Sequence, residues 1–101
     1  ASNEFRPLVS SRRFKDIQGP WESNGKELLT LIPQVFRYKD SAIPLIGLIA
    51  EDVHLVLPEA VNLDHEDHPY SLRFDVLLTS LLKLVQTQQQ EITALQLAVL
   101  K

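Results

Sequence analysis

The stretch FDVLLTSLLKLVQTQQQEITALQLAVLK, residues 74–101, determines the fold class that this sequence predicts. No glycine or proline interrupts it, and leucine, glutamine, alanine, lysine and glutamate, all good helix formers, dominate it. Its apolar residues recur at alternating spacings of three and four, the heptad pattern of a coiled coil. With Leu78 as heptad position a, the stripe, here called the seam, comprises Leu78, Leu81, Val85, Gln88, Ile92 and Leu95, and Val99 is the last a residue.

The length of this helix and the narrowing of its apolar stripe towards the C-terminus favour self-association over packing only on its own domain. At the standard rise the helix would be about 40 Å long, more than a core of this size can cover. The apolar stripe is broad near Leu82 and Leu84 and narrow where Gln89, Glu91 and Gln96 flank it. We therefore expect the helix to pack first on its own domain and then on copies of itself. Val and Ile at position a with Leu at position d favour a two-stranded coiled coil. A polar residue, Gln88, at a d position fixes the register between the helices.

Composition limits the classes of partner. The chain has 101 residues and a formal charge of −3, which predicts one domain and no nucleic-acid or acidic-membrane partner. It has no cysteine, so disulfides are excluded. No apolar run is long enough to span a bilayer and no signal peptide is recognisable, so we expect a domain excised from a longer protein.

The residues before the helix predict a small globular unit, here called the head. Together with the helix, they predict an α+β fold for the whole chain. A mostly antiparallel sheet is expected from residues 34–39, 45–49, 60–63 and 70–74, with short helices at 27–32 and 50–57. Three regions follow: a lead-in at 1–9, the head at 10–75 and the coiled-coil helix at 76–101. The predicted core comprises Leu28, Leu31, Phe36, Tyr38, Leu48, Ile49, Val53, Val56, Val61, Leu72 and Leu77.

Two clusters of polar residues could carry chemistry. Ser10 and Lys15 lie five residues apart, so they point to opposite faces of a strand but can meet across a turn. A serine beside a neutral lysine is the Ser-Lys variant of the catalytic triad, and Arg12 and Arg13 supply cations that favour the neutral amine. A basic surface strand is the alternative.

The second cluster is a loop of possible metal ligands. Its carboxylate and imidazole side chains could bind a metal ion, but the composition is also that of an ordinary hairpin loop. We predict no metal and no cofactor. The loop residues are Asp64, His65, Glu66, Asp67 and His68.

Several segments together resemble a known family. They are Ser10-Ser11-Arg12-Arg13-Phe14-Lys15, Val35-Phe36-Arg37-Tyr38-Lys39, Gly47-Leu48-Ile49-Ala50-Glu51-Asp52-Val53, Leu57-Pro58-Glu59-Ala60-Val61 and Tyr70-Ser71-Leu72-Arg73-Phe74-Asp75. In order and spacing they resemble the C-terminal intramolecular chaperone and self-cleaving endopeptidase domain of bacteriophage tail fibres, tailspikes and endosialidases, a version of which occurs in animal myelin regulatory factors. The resemblance covers residues 10 to about 95.

The resemblance implies a homotrimer that templates folding and registration of an upstream stalk of the same chain and then cuts itself off next to Ser10. It assigns Ser10 as nucleophile, Lys15 as general base and Arg13 to the family's usual arginine position. Where the family often has aspartate, this chain has Ser11, which is the alternative nucleophile. The implied location is the virion tail fibre, with the released domain left in the host cytoplasm.

Two other functions fit the same sequence. The first is a trimerisation or chaperone domain that does not cut. The second is an adaptor that binds a partner helix through the stripe between Leu78 and Val99. The trimer itself is implied by the resemblance, because the heptad rules alone favour two strands.

Overall fold

The computed structural model describes residues 9–100, and in them the fold is α+β, as predicted. Two strand pairs and one short helix form the head, and a long helix runs away from it. In chain order the regular elements are β1 (Gln34–Phe36), β2 (Leu45–Gly47), α1 (Ala50–Val56), β3 (Val61–Leu63), β4 (Pro69–Leu72) and α2 (Phe74–Val99). Single 3-10 turns occupy Arg12–Phe14, Lys26–Thr30 and Pro58–Ala60.

The strands form two separate antiparallel pairs, not the single sheet that we expected. β1 pairs with β2, with Val35 opposite Ile46, and β3 pairs with β4, with Val61 opposite Leu72. Each strand is shorter than predicted because turns or helices lie at or next to one of its expected ends. For β1, the Ser41 N–H donates to the Tyr38 carbonyl at 3.0 Å and reverses the chain.

The ends of the other elements have equally local causes. β2 stops at Gly47 because the Ile49 carbonyl already accepts the first helical hydrogen bond of α1, from Val53. β4 stops at Leu72 because the Arg73 carbonyl accepts the Leu77 N–H and so begins α2. The helix expected at 27–32 is a 3-10 helix over Lys26–Thr30 that follows Gly25 in the left-handed conformation.

The head has a small core between α1, the Pro58–Ala60 turn, β3 and the start of α2. Of the predicted core, Val53, Val61 and Leu77 are buried, and Leu28, Leu31, Leu48, Val56 and Leu72 pack against them half-buried. Phe36 and Ile49 are half-buried outside this cluster. The prediction for Tyr38 is wrong: it lies in the turn after β1, is 63% exposed, and contacts the Phe36 ring edge-on. The core residues that we did not predict are Leu57 and Ala60.

The first half of α2 is held to the head by a close backbone contact at Gly25. A Cβ atom at Gly25 would lie 2.4 Å from the Leu84 nitrogen and 2.5 Å from the Ser80 carbonyl oxygen. Ser80 is fully buried, and its hydroxyl donates to Glu27 Oε1 at 3.3 Å, which also accepts from the Ser23 hydroxyl at 3.0 Å. This polar cluster fixes the position of the Lys26–Thr30 segment along the axis of α2. If the segment moved along that axis, the Ser80 hydroxyl would be buried without a hydrogen-bond partner.

The second half of α2 leaves the head. Every residue from 88 to 100 is exposed. The Lys26–Glu91 ion pair at 3.2 Å contacts this part of the helix from the head. Because both side chains are about half exposed, the pair contributes at most about 1 kcal/mol. No helix among residues 9–100 has the length and hydropathy needed to cross a membrane.

The β1–β2 hairpin also stands apart from the core. Its strands contact each other and little of the other regular structure. Val35 and Ile46, which are cross-strand partners, are 73% and 80% exposed. Burial therefore contributes little to the stability of this hairpin.

Candidate active site

Ser10 and Lys15 are in direct contact. Lys15 Nζ lies 3.0 Å from Ser10 Oγ, within hydrogen-bond distance. The 3-10 turn Arg12–Phe14 between them makes this contact possible: the Ser11 carbonyl accepts from Phe14 and the Arg12 carbonyl from Lys15. The chain is extended on both sides of the turn, so two side chains that would diverge on a strand converge here.

Ser11, the alternative nucleophile, has a different environment. Its carbonyl is engaged in the turn, with Phe14 as donor at 3.0 Å, and its side chain makes no capping hydrogen bond. The hydroxyl that contacts the Lys15 amine belongs to Ser10. The geometry therefore favours Ser10 over Ser11 as the partner of a base at Lys15.

The pair opens onto a groove of about 670 Å³, here called the dyad groove. Four separate parts of the chain form its walls: the N-terminal segment, the indole of Trp21, the Pro58–Ala60 turn and the first turns of α2. Its lining combines the apolar side chains of Trp21 and Val76 with two carboxylates. The lining residues beyond the pair and Val9 are Trp21, Glu59, Asp75, Val76 and Thr79.

The charges around Lys15 differ from those expected. The Arg13 guanidinium packs over the Phe14 ring, 4.5 Å from its centroid, in a cation–π contact. Glu59 and Asp75 line the groove with Lys15. Among residues 9–100 the lysine forms no ion pair with either carboxylate, and Asp75 pairs instead with Arg73 at 2.9 Å. Ser10 is therefore the polar partner that holds the amine.

Asp75 lies in the first turn of α2 and carries a shifted pKa. Desolvation raises the pKa of Asp75, but the hydrogen bond from Arg73, the Val76 N–H and the guanidinium charge together outweigh it, so the pKa lies below the ordinary aspartate value. A carboxylate in the first turn of a helix is also favoured by the helix dipole. The ion pair thus lies at the first turn of α2, which forms one wall of the dyad groove.

This shift predicts a pH-dependent effect of Asp75→Asn on stability. Because folding lowers the pKa, the stabilisation is complete above the unfolded value of about 3.9 and is lost as the pH falls through the folded value. We expect Asp75→Asn to lower the free energy of unfolding at about pH 7 but to have little effect at about pH 2. Urea titrations at both pH values measure this.

An Arg73→Gln background serves as the control for that measurement. With the guanidinium removed, the main attractive partner of the carboxylate is lost, so Asp75→Asn should cost less at neutral pH than it does in the wild-type background. An equal loss from Asp75→Asn at both pH values would contradict the electrostatic origin of the effect.

The seam residues lie on the face of α2 that the head leaves uncovered. Leu78, Val85 and Leu95 are 69%, 54% and 67% exposed, and Leu81 and Ile92 are 48% and 47% exposed. Gln88 is exposed as well. The residues of α2 that face the head are instead Leu77, Ser80 and Leu84. Of the two leucines that broaden the stripe, Leu84 packs on the head and Leu82 is exposed. The prediction that the first part of the helix packs on its own domain is confirmed.

The loop at 64–68 is organised around a turn. Asp64 Oδ1 accepts the backbone N–H groups of Glu66 at 2.8 Å and His68 at 3.0 Å, and Asp67 has a positive φ of 62°. The Asp64 carboxylate is thus used to close the β3–β4 connection. Within residues 9–100 no group of three or more histidine, cysteine, aspartate or glutamate side chains is arranged to hold a metal.

No protein-family model matches the chain, and no curated protein matches it. The family resemblance described above therefore remains a prediction from sequence motifs. What the structure adds is the contact between Ser10 and Lys15.

Proposed function

We propose that this domain trimerises through the seam, guides the folding and registration of an upstream stalk of the same chain, and then releases itself by cutting the Val9–Ser10 bond. Ser10 is the nucleophile and Lys15 its general base. The observation that carries the proposal is the 3.0 Å contact between Lys15 Nζ and Ser10 Oγ across a turn. A nucleophile and base within hydrogen-bond reach are the geometric signature of this chemistry.

Ring size selects the bond that is cut. If Ser10 Oγ attacks the carbonyl carbon of Val9, the cyclic intermediate has five members, whereas attack on the serine's own carbonyl needs a strained ring of four. Val9 lines the dyad groove with Ser10 and Lys15 and is 56% exposed. Self-cleavage by Ser10 within one chain is therefore expected on its N-terminal side.

The proton and the leaving group balance without any cofactor. The neutral Lys15 amine takes the Oγ proton as Oγ bonds to the Val9 carbonyl carbon. The resulting ammonium gives that proton to the Ser10 nitrogen as the C–N bond breaks, which leaves an ester between Val9 and Ser10 Oγ. Water then hydrolyses the ester, freeing the Val9 carboxylate and restoring the serine hydroxyl.

The chaperone role follows from folding kinetics. A trimeric stalk must align three chains before its long-range contacts compensate for the entropy of closing them. A helical seam with local contacts assembles quickly and sets that alignment. Cleavage afterwards removes the route back, so the stalk becomes kinetically trapped. One turnover per chain is enough, and an exposed, slowly reacting pair meets that need.

The corresponding location is a phage tail fibre, with the released domain left in the host cytoplasm.

The test uses the domain with its natural upstream stalk. On a denaturing gel we expect two bands, and N-terminal sequencing of the smaller should begin at Ser10. Hydroxylamine added during cleavage should convert Val9 to its hydroxamate, because it captures esters. A new N-terminus at Ser11 would contradict the assigned bond. A single band at all times would leave a trimerisation or chaperone domain without cleavage.

Ile92→Asp tests the trimer separately. Ile92 lies at an a position and is 47% exposed in the single chain, so the substitution should not disturb the head. In the trimer it would bury three like carboxylates in one layer, at a cost of several kcal/mol. We expect sedimentation at micromolar concentration to show a trimer for wild type and a monomer for this variant.

Leu97→Asp is the matched control for that experiment. Leu97 is 58% exposed and falls at heptad position f, on the side away from the seam. Its replacement should leave the trimer intact. A wild-type monomer would exclude the proposal, and a wild-type dimer would mean that the heptad preferences govern assembly.

A further inference from the structure

A second, strongly apolar groove lies beside the seam. It encloses about 580 Å³, and its lining is almost wholly hydrocarbon. One wall belongs to the head and the other to the first turns of α2. We call it the head groove, and its residues are Leu28, Leu31, Pro33 and Leu48 in the head and Phe74, Leu77, Leu78 and Leu81 on α2.

The head groove and the seam share residues. Leu78 and Leu81 belong to both, at a and d. Phe74, one heptad before Leu81, falls at the preceding d position and is 70% exposed. A helix packed along the seam at the usual interaxial distance of about 8–10 Å must therefore pass over the mouth of this groove. The uncovered apolar surface of the seam continues into the head without interruption.

We propose that each head groove is filled by Phe74 of a neighbouring copy of the chain, so that the subunit interface extends from the seam into the heads. The inference rests on the trimer proposed above. In a parallel assembly in register, identical residues lie at the same position along the axis. The a and d residues of the neighbour at the level of the groove are then Phe74, Leu78 and Leu81, and Phe74 is the largest of them. A contact in which a side chain of one copy enters the groove of the next is heterologous, and it closes into a ring under threefold symmetry.

This arrangement couples the two parts of the molecule. Leu28 and Leu31 line the head groove and also pack against the core that holds α1 and the start of α2. Occupation of the groove by a neighbour would thus stabilise the head as well as the coiled coil. Each head would then be fully packed only in the assembled state.

Cysteine cross-linking tests the contact directly, because the chain contains no cysteine of its own. One chain carries Phe74→Cys and a mass tag, and the other carries Pro33→Cys, at an exposed residue of the groove wall. A disulfide forms when the two Cα atoms lie within about 7 Å. After mixing and oxidation, we expect a band containing one tagged and one untagged chain.

Two further variants make every outcome informative. Leu55→Cys, on α1 and 83% exposed but outside the groove, should not cross-link to Phe74→Cys. Ile92→Cys should cross-link to itself if the seam forms in parallel. If Ile92→Cys cross-links and the Phe74–Pro33 pair does not, the groove contact is wrong and the trimer stands. If Ile92→Cys also fails, both are overturned.

Truncation gives a second readout. Phe74→Ala should raise the concentration at which half the trimer dissociates by at least tenfold, while Leu97→Ala, which removes a similarly exposed apolar side chain at an f position, should change it less than twofold. Equal effects of the two variants would overturn the assignment of Phe74 to the interface.

Discussion

Lys15→Ala should stop release of the upstream stalk while leaving the folded head and the assembly unchanged. The lysine side chain contacts Ser10 at the rim of an open groove and contributes nothing to the core or to the seam. Loss of a general base slows a reaction by about 10²–10⁴-fold. For a reaction that occurs once per chain, this would appear as a single uncut band on a gel.

Three companion variants identify the chemistry. Ser10→Ala removes the nucleophile and should abolish cleavage completely. Lys15→Arg should fail as Lys15→Ala does, since a guanidinium does not lose its proton in a protein. Arg12→Ala removes a cation of the same exposed turn and should retain most of the rate.

The outcome that excludes the dyad is equally definite. If Ser10→Ala still yields a fragment with the wild-type N-terminus, another residue cuts the chain. If Lys15→Arg cleaves as fast as wild type, Lys15 acts by its charge and not as a base. Either result would leave the trimer and the chaperone role to be judged on the sedimentation experiment alone.

Gly25→Ala is expected to destabilise the head strongly, because the substitution combines backbone strain with a collision. The residue has φ 74°, and a Cβ there would collide with the backbone of α2 at Leu84 and Ser80. The left-handed conformation costs alanine about 1–2 kcal/mol, and overpacking adds about 1–3 kcal/mol. A domain of this size has about 5–15 kcal/mol in total. Urea unfolding followed by fluorescence of the single tryptophan, Trp21, measures the loss.

Gly19→Ala separates the two contributions. Gly19 also has a positive φ, 136°, but a Cβ at that position meets nothing within 4 Å. Its substitution should therefore cost conformational strain alone, and that strain is greater at φ 136° than in the left-handed region near φ 74°. A larger loss from Gly25→Ala than from Gly19→Ala would therefore come from the collision with α2. A loss from Gly25→Ala below about 1 kcal/mol would mean that the contact between Gly25 and α2 is not tight.

The extent of α2 could be predicted from sequence almost to the residue. The expected range was 74–101 and the helix spans Phe74–Val99, because the heptad period and the run of helix formers both report the same element. It was harder to predict which residues of α2 pack on the head and which remain exposed. Leu82 and Leu84 both broaden the apolar stripe, yet only Leu84 is buried against the head, where Gly25 approaches its backbone, and that contact joins residues far apart in the chain.

The strand boundaries and the site show why the rest was not predictable. β1 ends at Phe36 because of hydrogen bonds among Tyr38, Arg37 and Ser41 that apolar alternation does not encode. The Ser10–Lys15 contact was predictable only on the condition that a turn lies between them. Glu59 and Asp75 could not be assigned to the site at all, since only the packing of α2 against the Pro58–Ala60 turn brings them to one groove.

The β1–β2 hairpin has a consequence for tolerance to change. An isolated strand pair is only marginally stable in water, and this one contributes almost nothing to the core, so it can open without unfolding the head. The free energy of the whole domain is accordingly insensitive to what the hairpin carries at its tip. We expect the turn at residues 38–41 to accommodate an inserted segment without displacing the dyad groove or the seam, because it belongs to neither.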